Sequence, residues 1–327
     1  MVPEEKLATV STVQNVTAHS HREKHFSDRL FFWFLRAAGL GVLALLLSIG
    51  FFLFRASQPA IEHFGWNFLG SQNWDPVAKD FGALAVVFGT VVSSILAMLI
   101  ATPMSVGVAL FLNELAPRPV ARLAGFLVEM LAAIPSVVYG LWGFFLLAPW
   151  MRSTVQPFLG EYFGFEFFPI FLGPPYGVGM LTAGVILSIM VTPTVSSICR
   201  EVFKAVPRAN REAALALGAT RWESMKVSVL RASRVGIVGA VILGLGRALG
   251  ETMAVTMVIG NRTEISSSLF APAQSMASII ASEYPEAAEK LHLAALAEIG
   301  LLLFGVTFVM NAIARLFVWH VKRRVNG

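Results

Sequence analysis

Six long apolar segments with few charged residues constrain this chain more than any other feature of its sequence. A helix needs roughly 20 apolar residues to cross the hydrocarbon core of a bilayer, which is about 30 Å thick. The segments that reach this length are Leu30–Phe54, Phe81–Phe111, Leu123–Pro149, Gly177–Ile198, Val235–Ile259 and Leu293–Trp319. Only 14% of the 327 residues are charged, well below the roughly 25% of a soluble domain. The sequence therefore predicts an all-α polytopic membrane protein with six transmembrane helices.

The distribution of lysine and arginine predicts how these segments are oriented. Of the 25 lysines and arginines, 18 fall in one alternating set of loops and termini, and five fall in the other set. Positive charge concentrates on the cytoplasmic side of membrane proteins. Both termini are therefore expected in the cytoplasm. The segment 200–234, with eight cations, is then a cytoplasmic loop in reach of anionic lipid.

The predicted organisation is one membrane domain with a short tail at each end. Residues 1–29 are polar and mixed in charge, lack the features of a cleavable signal sequence, and are predicted to be a cytoplasmic tail. Residues 30–320 form the transmembrane domain, and residues 321–327 form a basic cytoplasmic tail. The single cysteine, Cys199, excludes an internal disulfide framework.

No motif of a self-contained enzyme occurs in the sequence. A phosphate-binding GxxxxGK[ST] loop is absent, so the chain is not expected to hydrolyse ATP by itself. No nucleophile stands beside a base, and no metal or other cofactor is expected on this chain. The net charge of +5 is accounted for by the cytoplasmic loops and indicates no nucleic-acid partner. Energy for any transport must come from a partner or an ion gradient.

The segment 200–234 has the pattern of two short helices separated by a glycine turn. Pro207 is expected to start the first helix and Gly218 to end it, and a second helix is expected from Trp222 onward. The first helix contains the run Glu212, Ala213 and Ala214. By spacing alone, an amphipathic loop held on anionic lipid explains the segment equally well.

The fifth apolar segment carries two charged residues near its middle, where charge is costly. Arg247 is followed four residues later by Glu251, and then by Thr252. Charges at this depth usually mark a pathway or a paired structural site, and the i, i+4 spacing predicts that both lie on one helix face. A guanidinium presents a planar fork of donors that suits an oxyanion. A neighbouring carboxylate would accept a hydrogen bond from protonated phosphate and would repel sulfate, which has no proton to donate. The alternative is an ion pair that only locks the helices together.

Other residues of the spans give weaker predictions. Three polar residues are predicted to line a cavity, with an interhelical hydrogen bond as the alternative; they are Glu129, Ser136 and Glu298. Small residues at four-residue spacing in the fifth segment predict close approach of another helix; they are Gly236, Ala240 and Gly244, together with Gly246 and Gly250. Pro135 and Pro193 are expected to kink their helices.

The cytoplasmic loop resembles a known motif. The run that begins at Glu212, with Gly218 four residues after Ala214, resembles the EAA loop of bacterial ABC importer permeases. The chain departs from that pattern at Arg231, where the family has proline. In that family the loop forms a coupling helix that inserts into a groove on the ATPase subunit. The resemblance therefore implies that Glu212, Ala213, Ala214 and Gly218 contact an ATPase.

Two span segments make the resemblance narrower. Gly246–Val255 with Val258–Asn261, and Ala133–Gly140 in the third segment, are similar to the phosphate-specific ABC transport permeases of the PstC type. This implies a type I ABC importer permease fold, with Arg247, Glu251 and Thr252 on the substrate path. It also implies a sister PstA-type permease, a dimeric ABC ATPase that uses ATP and Mg²⁺, and a periplasmic phosphate-binding protein. The alternatives are a permease of this fold for another solute, an ion-coupled secondary transporter, and a membrane scaffold without transport.

Overall fold

The computed structural model describes residues 26–164 and 169–326, and they are mostly helical. The α-helices are α1 Phe26–Phe64, α2 Asn67–Gly70, α3 Leu84–Leu110, α4 Arg118–Ala133, α5 Ser136–Trp142, α6 Ala148–Trp150, α7 Gln156–Phe163, α8 Met180–Lys204, α9 Arg208–Ala216, α10 Arg221–Ser224, α11 Arg234–Leu249, α12 Met253–Val258, α13 Met276–Glu283 and α14 Lys290–Asn326. π-Helical turns lie at Phe111–Leu115, Gly143–Leu147, Met151–Val155 and Met225–Leu230, and a 3₁₀ turn lies at Pro169–Phe171. Strands β1 Trp74–Asp75 and β2 Asp80–Phe81 form an antiparallel hairpin. Residues 1–25 of the predicted N-terminal tail lie outside the described residues.

Four stretches are long and apolar enough to cross a membrane without a break. They are Leu30–Phe64, Leu84–Leu115, Met180–Lys204 and Lys290–Leu316. These correspond to the first, second, fourth and sixth predicted segments. The third segment lies in the pair Arg118–Ala133 and Ser136–Phe163, which is bent by 92°. The first part of the fifth segment lies in the pair Arg221–Leu230 and Arg234–Leu249, which is bent by 69° before Arg234. The count of six spans therefore stays a prediction, which holds if each bent pair crosses the membrane once.

The third predicted segment is divided at Pro135 instead of only being kinked there. α4 ends at Ala133, and Ile134 has an extended backbone, with φ −67° and ψ 130°. Proline disfavours a helical conformation in the residue before it and lacks the N–H that a continuous helix needs. After the break, the helical structure runs from Ser136 to Phe163, so it continues beyond Pro149, where the predicted third segment ends.

The fifth predicted segment is divided too, directly after its arginine. α11 ends at Leu249, and α12 begins at Met253. Gly250 is the C-cap of α11, with φ −94° and ψ 0°, and glycine weakens a helix because it loses much backbone freedom on folding. The interpretation of Arg247 and Glu251 as neighbours on one helix face is therefore wrong.

The main core is built around α8, whose most apolar stretch is 67% buried. Small residues allow its neighbours to approach closely. A Cβ atom added to Gly244 of α11 would lie 2.6 Å from Val195 Cγ2, and one added to Gly184 of α8 would lie 2.5 Å from Leu96 Cδ2 on α3. Gly236 and Gly244 of the predicted small-residue stripe therefore face α8, where a larger side chain would clash, whereas Gly246 lies beside Asn311 of α14.

The first part of α1 presents a different surface. Of the described residues, 26–52 belong to a compact unit of their own, and the large apolar side chains that α1 carries from Leu30 to Phe52 are mostly exposed. An apolar surface of this extent is typical of contact with lipid or with another membrane helix.

The β1–β2 hairpin is held by a buried polar cluster beside α13 and α14. Trp74 Nε1 donates to Glu283 Oε2 at 2.7 Å, and His292 Nε2 lies 2.9 Å from the same oxygen. The Phe81 ring stacks on the His292 ring with centroids 5.2 Å apart. One carboxylate thus joins the hairpin to the ends of two helices.

Candidate functional site

Arg247 extends from the last turn of α11 and is exposed in the single chain. Its Nη1 donates to Thr194 Oγ1 on α8 at 3.3 Å, and the guanidinium lies within electrostatic range of the Tyr139 hydroxyl. Among the described residues, no carboxylate lies within 4.0 Å of Arg247. A charge at this place in a membrane helix needs water, a partner subunit or an anion beside it.

Glu251 and Thr252 lie in the break between α11 and α12. Glu251 Oε1 accepts a 3.4 Å hydrogen bond from the Ala254 N–H. The Thr252 carbonyl accepts bonds from the Thr256 N–H at 3.0 Å and from its hydroxyl at 2.7 Å. Both residues therefore support the start of α12. The alternative of an ion pair between Arg247 and Glu251 is not what the described residues show, because the helix that would align the two side chains ends at Leu249.

The third-segment motif and the fifth-segment motif meet in the structure. α5, which begins with the half-buried Ser136, packs against α12: a Cβ atom at Gly140 would lie 2.6 Å from Met257 Sδ and 3.1 Å from Ala254 Cα. Tyr139 Oη donates to the Leu131 carbonyl at 2.8 Å and so bridges the break at Pro135. The two segments that carry the resemblance to phosphate-specific permeases thus pack against each other.

The two remaining glutamates of the spans are placed differently. Glu129 Oε1 lies 3.5 Å from Arg200 Nη1 and links α4 to α8, which matches the interhelical alternative. Glu298 is 7% exposed on the side of α14 that includes Ala295 and Ile299 of an apolar cluster. Its Oε2 has no hydrogen-bond partner among the described residues. Within the described part of the chain, no hydrogen bond or ion pair joins either glutamate to Arg247.

The segment 200–234 folds into two short helices separated by a glycine turn, as its sequence predicts. α9 follows Pro207, and Gly218 has φ +86°. The Ala219 N–H donates to the Ala214 carbonyl at 3.2 Å, and the Gly218 N–H donates to the Leu215 carbonyl at 3.0 Å, which is the Schellman pattern of a helix end. The glycine is therefore required by the conformation of this turn.

The next helix, α10, begins with a capping box. Thr220 accepts from the Glu223 N–H at 3.3 Å, and its own N–H donates to Glu223 Oε2 at 2.8 Å. Hydrogen bonds from the Thr220 backbone and hydroxyl lower the pKa of the Glu223 carboxyl. The two caps give the segment a defined shape.

The surface of this segment has charged side chains next to exposed apolar side chains. Glu212 and Ala213 are exposed, and Ala214 is half-buried. In the turn and the helix that follow, Leu217 is 89% exposed and Trp222 is 60% exposed. Large apolar side chains this exposed beside a charged helix are typical of a surface that contacts another protein.

One strong interaction of this segment was not predicted from the sequence. Glu114, in the π-helical turn after α3, forms an ion pair with Arg211 of α9 at 2.7 Å. The sequence signal was an acidic residue directly after an apolar span, on the side predicted to face the cation-rich loop. The two residues are 97 positions apart, so their pairing follows from the fold.

Comparison with known proteins places the chain among transport components. Residues 101–325 match the family described as Binding-protein-dependent transport system inner membrane component. The chain is 46% identical to the phosphate transport system permease protein PstC of Mesorhizobium japonicum over 328 residues, which cover 99% of each sequence. It is 43% identical to the PstC protein of Pasteurella multocida over 302 residues, which cover 92% of this chain and 94% of that protein.

Solved structures show the same fold at low sequence identity. A chain of a bacterial alginate ABC transporter in complex with an alginate-bound periplasmic protein superposes with a TM-score of 0.60 at 18% identity, covering 93% of this chain and 98% of that chain. A chain of the inward-facing MetNI methionine ABC transporter gives a TM-score of 0.55 at 15% identity, covering 72% and 94%. The fold is that of type I ABC importer permeases. This chain therefore belongs to the binding-protein-dependent transport system inner membrane component family, the permease subunits of ABC importers, in which a separate ATPase hydrolyses ATP.

Proposed function

We propose that this chain is the PstC-type permease subunit of an ATP-driven importer of inorganic phosphate. The observation that carries the proposal is an arginine without a carboxylate partner among the described residues, placed where α5, α8 and the α11–α12 break meet. Relatives that are 43–46% identical over nearly the full chain are named phosphate transport system permeases. Family membership favours this proposal over an ion-coupled secondary transporter.

The chemistry of the site supports an oxyanion as the substrate. The fork of Arg247 can bind two oxygens of one phosphate group, and the Thr194 hydroxyl beside it adds a donor at the same place. Because Glu251 does not neutralise Arg247, the guanidinium keeps its charge for the anion. Glu251 and Thr252 follow on the same path, and the Glu251 carboxylate favours an anion that still carries a proton. Ser136 is proposed to line this cavity.

Glu129 and Glu298, the other two residues predicted to line the cavity, have less support from their contacts. Glu129 is engaged with Arg200, and Glu298 is buried in an apolar cluster. A role in the path for either residue requires that transport moves α4 or α14 enough to bring the carboxylate to the cavity.

An ABC importer permease works with an ATPase and with a substrate-binding protein. For this chain we propose a sister PstA-type permease, a dimeric ABC ATPase and a periplasmic phosphate-binding protein. The exposed apolar stretch of α1 and the exposed Arg247 support a second membrane subunit. ATP and Mg²⁺ are proposed to bind on the ATPase alone.

On the cytoplasmic side, α9 and its glycine turn are proposed to contact the ATPase. The residues of this contact are Glu212, Ala213, Ala214 and Gly218. The exposed Leu217 and Trp222 beside them supply apolar area for the same interface. Closure of the ATPase on ATP then moves α9, and the path near Arg247 opens alternately to the two sides of the membrane.

The proposal is tested with the purified complex in proteoliposomes that contain ATP. Uptake of radiolabelled phosphate and of radiolabelled sulfate is measured with the binding protein outside, and vesicles without ATP are the control. The expected result is ATP-dependent phosphate uptake with little sulfate uptake. Sulfate uptake equal to phosphate uptake would contradict the selectivity assigned to Glu251, and uptake of neither anion would contradict the proposed substrate.

A further inference from the structure

A single arginine fixes α9 to the ends of two membrane helices. We propose that Arg211, through its ion pair with Glu114, is the positioning residue that transmits movement of α9 to α3 and α8. The inference rests on the proposed contact between α9 and the ATPase, and it assigns the transmission to a particular pair of side chains.

The contact with Glu114 has the geometry of a fixed joint. Arg211 Nε lies 3.1 Å from Oε1 and 3.2 Å from Oε2 of Glu114, and Nη2 lies 2.7 Å from Oε1. Asn113 Nδ2 donates to the same Oε1 at 2.7 Å. A forked contact fixes the orientation of both side chains as well as their distance. The end of α3 therefore cannot rotate freely relative to α9.

The same guanidinium also binds the end of α8. Arg211 Nη1 donates to the Val206 carbonyl at 2.8 Å, and Nη2 donates to the Phe203 carbonyl at 3.0 Å. The last carbonyls of a helix have no partner within the helix, and a cation beside them is favourable. Arg211 thus joins α3, α8 and α9 at one point.

Two hydroxyl groups continue this connection toward α11. Ser224 Oγ donates to the Arg211 carbonyl at 3.3 Å, and Ser228 Oγ donates to the Asn210 carbonyl at 2.9 Å. Ser228 lies in the π-helical turn that precedes α11, the helix that carries Arg247. A displacement of α9 is therefore passed to the helices that surround the proposed path.

The burial of the pair distinguishes it from a surface ion pair. The side chains of Arg211 and Glu114 are 19% and 12% exposed, so solvent screens them little. A second pair nearby, Lys204 with Glu201, has a similar distance of 2.6 Å, but its side chains are 47% and 71% exposed. Exposed pairs of this kind contribute little, which makes Glu201→Gln a matched control.

Two substitutions separate transmission from folding. Arg211→Lys keeps the charge but loses the fork, because an ammonium group cannot bind Glu114 through two nitrogens while also reaching both carbonyls. Glu114→Gln keeps the size of the side chain and removes its charge. Transmission through this pair predicts that both variants assemble and hydrolyse ATP, and that less anion is transported for each ATP.

The experiment measures radiolabelled phosphate uptake and ATP hydrolysis in the same proteoliposomes, together with the stimulation of hydrolysis by the binding protein. For Arg211→Lys and Glu114→Gln, phosphate transported per ATP is expected to fall by at least about fivefold, the lower end of ordinary coupling between sites. The double variant is expected to be no worse than the poorer single variant, and Glu201→Gln is expected to match the parent.

Two results would overturn the inference. If both variants transport as much phosphate per ATP hydrolysed as the parent does, the ion pair between Arg211 and Glu114 transmits no movement. Loss of assembly or of ATP hydrolysis in both variants would show a role in folding or docking only. The stimulation of hydrolysis needs no assumption about the transported anion, so a wrong phosphate assignment is distinguished from a failure of the coupling inference.

Discussion

Replacement of Gly218 by alanine is expected to destabilise the turn that ends α9. The loss of free energy comes only from the backbone conformation of residue 218. Gly218 has φ +86°, and a Cβ atom built on it meets no atom within 4 Å. Steric overlap with neighbours therefore adds nothing to the cost. The remaining penalty is the left-handed backbone of an L-residue, about 1–2 kcal/mol. A change of this size opens the turn about 5 to 30 times more often.

Amide hydrogen exchange measures this opening where it occurs. The N–H groups of residues 218 and 219 donate to the Leu215 and Ala214 carbonyls, so their protection reports the closed turn. In the purified complex, their protection is expected to fall by that factor in Gly218→Ala, and by less in Gly218→Asn, because asparagine adopts this conformation more readily.

Gly239→Ala is the matched control for this series. Gly239 also has no atom within 4 Å of a built Cβ, but it lies inside α11, where alanine stabilises the helix by roughly 0.5–1 kcal/mol. Exchange in residues 208–222 should therefore stay at the parent rate in this variant. Two results would refute the assignment of the cost to the left-handed turn. One is amide protection in Gly218→Ala equal to that of the parent, and the other is an equal loss of protection in Gly218→Ala and Gly239→Ala.

Two further substitutions test the packing. Gly244→Ala places a Cβ atom 2.6 Å from Val195 Cγ2, and overpacking of this kind costs about 1–3 kcal/mol. The thermal unfolding midpoint of Gly244→Ala should therefore lie below that of Gly239→Ala. An equal or higher midpoint would contradict the close contact. Glu283→Gln weakens the bond from Trp74 Nε1, because hydrogen bonds to a charged group contribute about 1.5–3 kcal/mol. Hydrogen exchange in the β1–β2 hairpin should then rise, and an unchanged rate would show that the carboxylate does not hold the hairpin.

The long apolar helices could be predicted because apolar length is a local property of the sequence. The turn at Gly218 was predictable for the same reason, since a proline before α9 and a glycine after it are local signals for its two ends. The similarity of the fifth and third segments to phosphate-specific permeases also identified two pieces of the chain that pack against each other in the structure.

The breaks and the long-range contacts could not be predicted in the same way. An apolar segment has the same composition whether it is straight or bent, so hydropathy did not show that the chain turns after Ala133 or stops its helix at Leu249. Whether α12 forms depends on its packing against α5, which lies far away in the sequence. The ion pair between Glu114 and Arg211 joins residues 97 positions apart, and no local pattern records it.

The role of Arg247 is decided by ATP-dependent uptake of radiolabelled phosphate into proteoliposomes. The parent complex is compared with Arg247→Ala and Arg247→Lys at equal assembly and equal ATPase content. If Arg247 binds the transported anion, Arg247→Ala loses uptake while the complex and its ATP hydrolysis remain, and Arg247→Lys retains part of the uptake because it keeps the charge without the fork. Uptake at the parent rate in Arg247→Ala would contradict the proposed path and leave Arg247 with a structural role in the contact between α11 and α8.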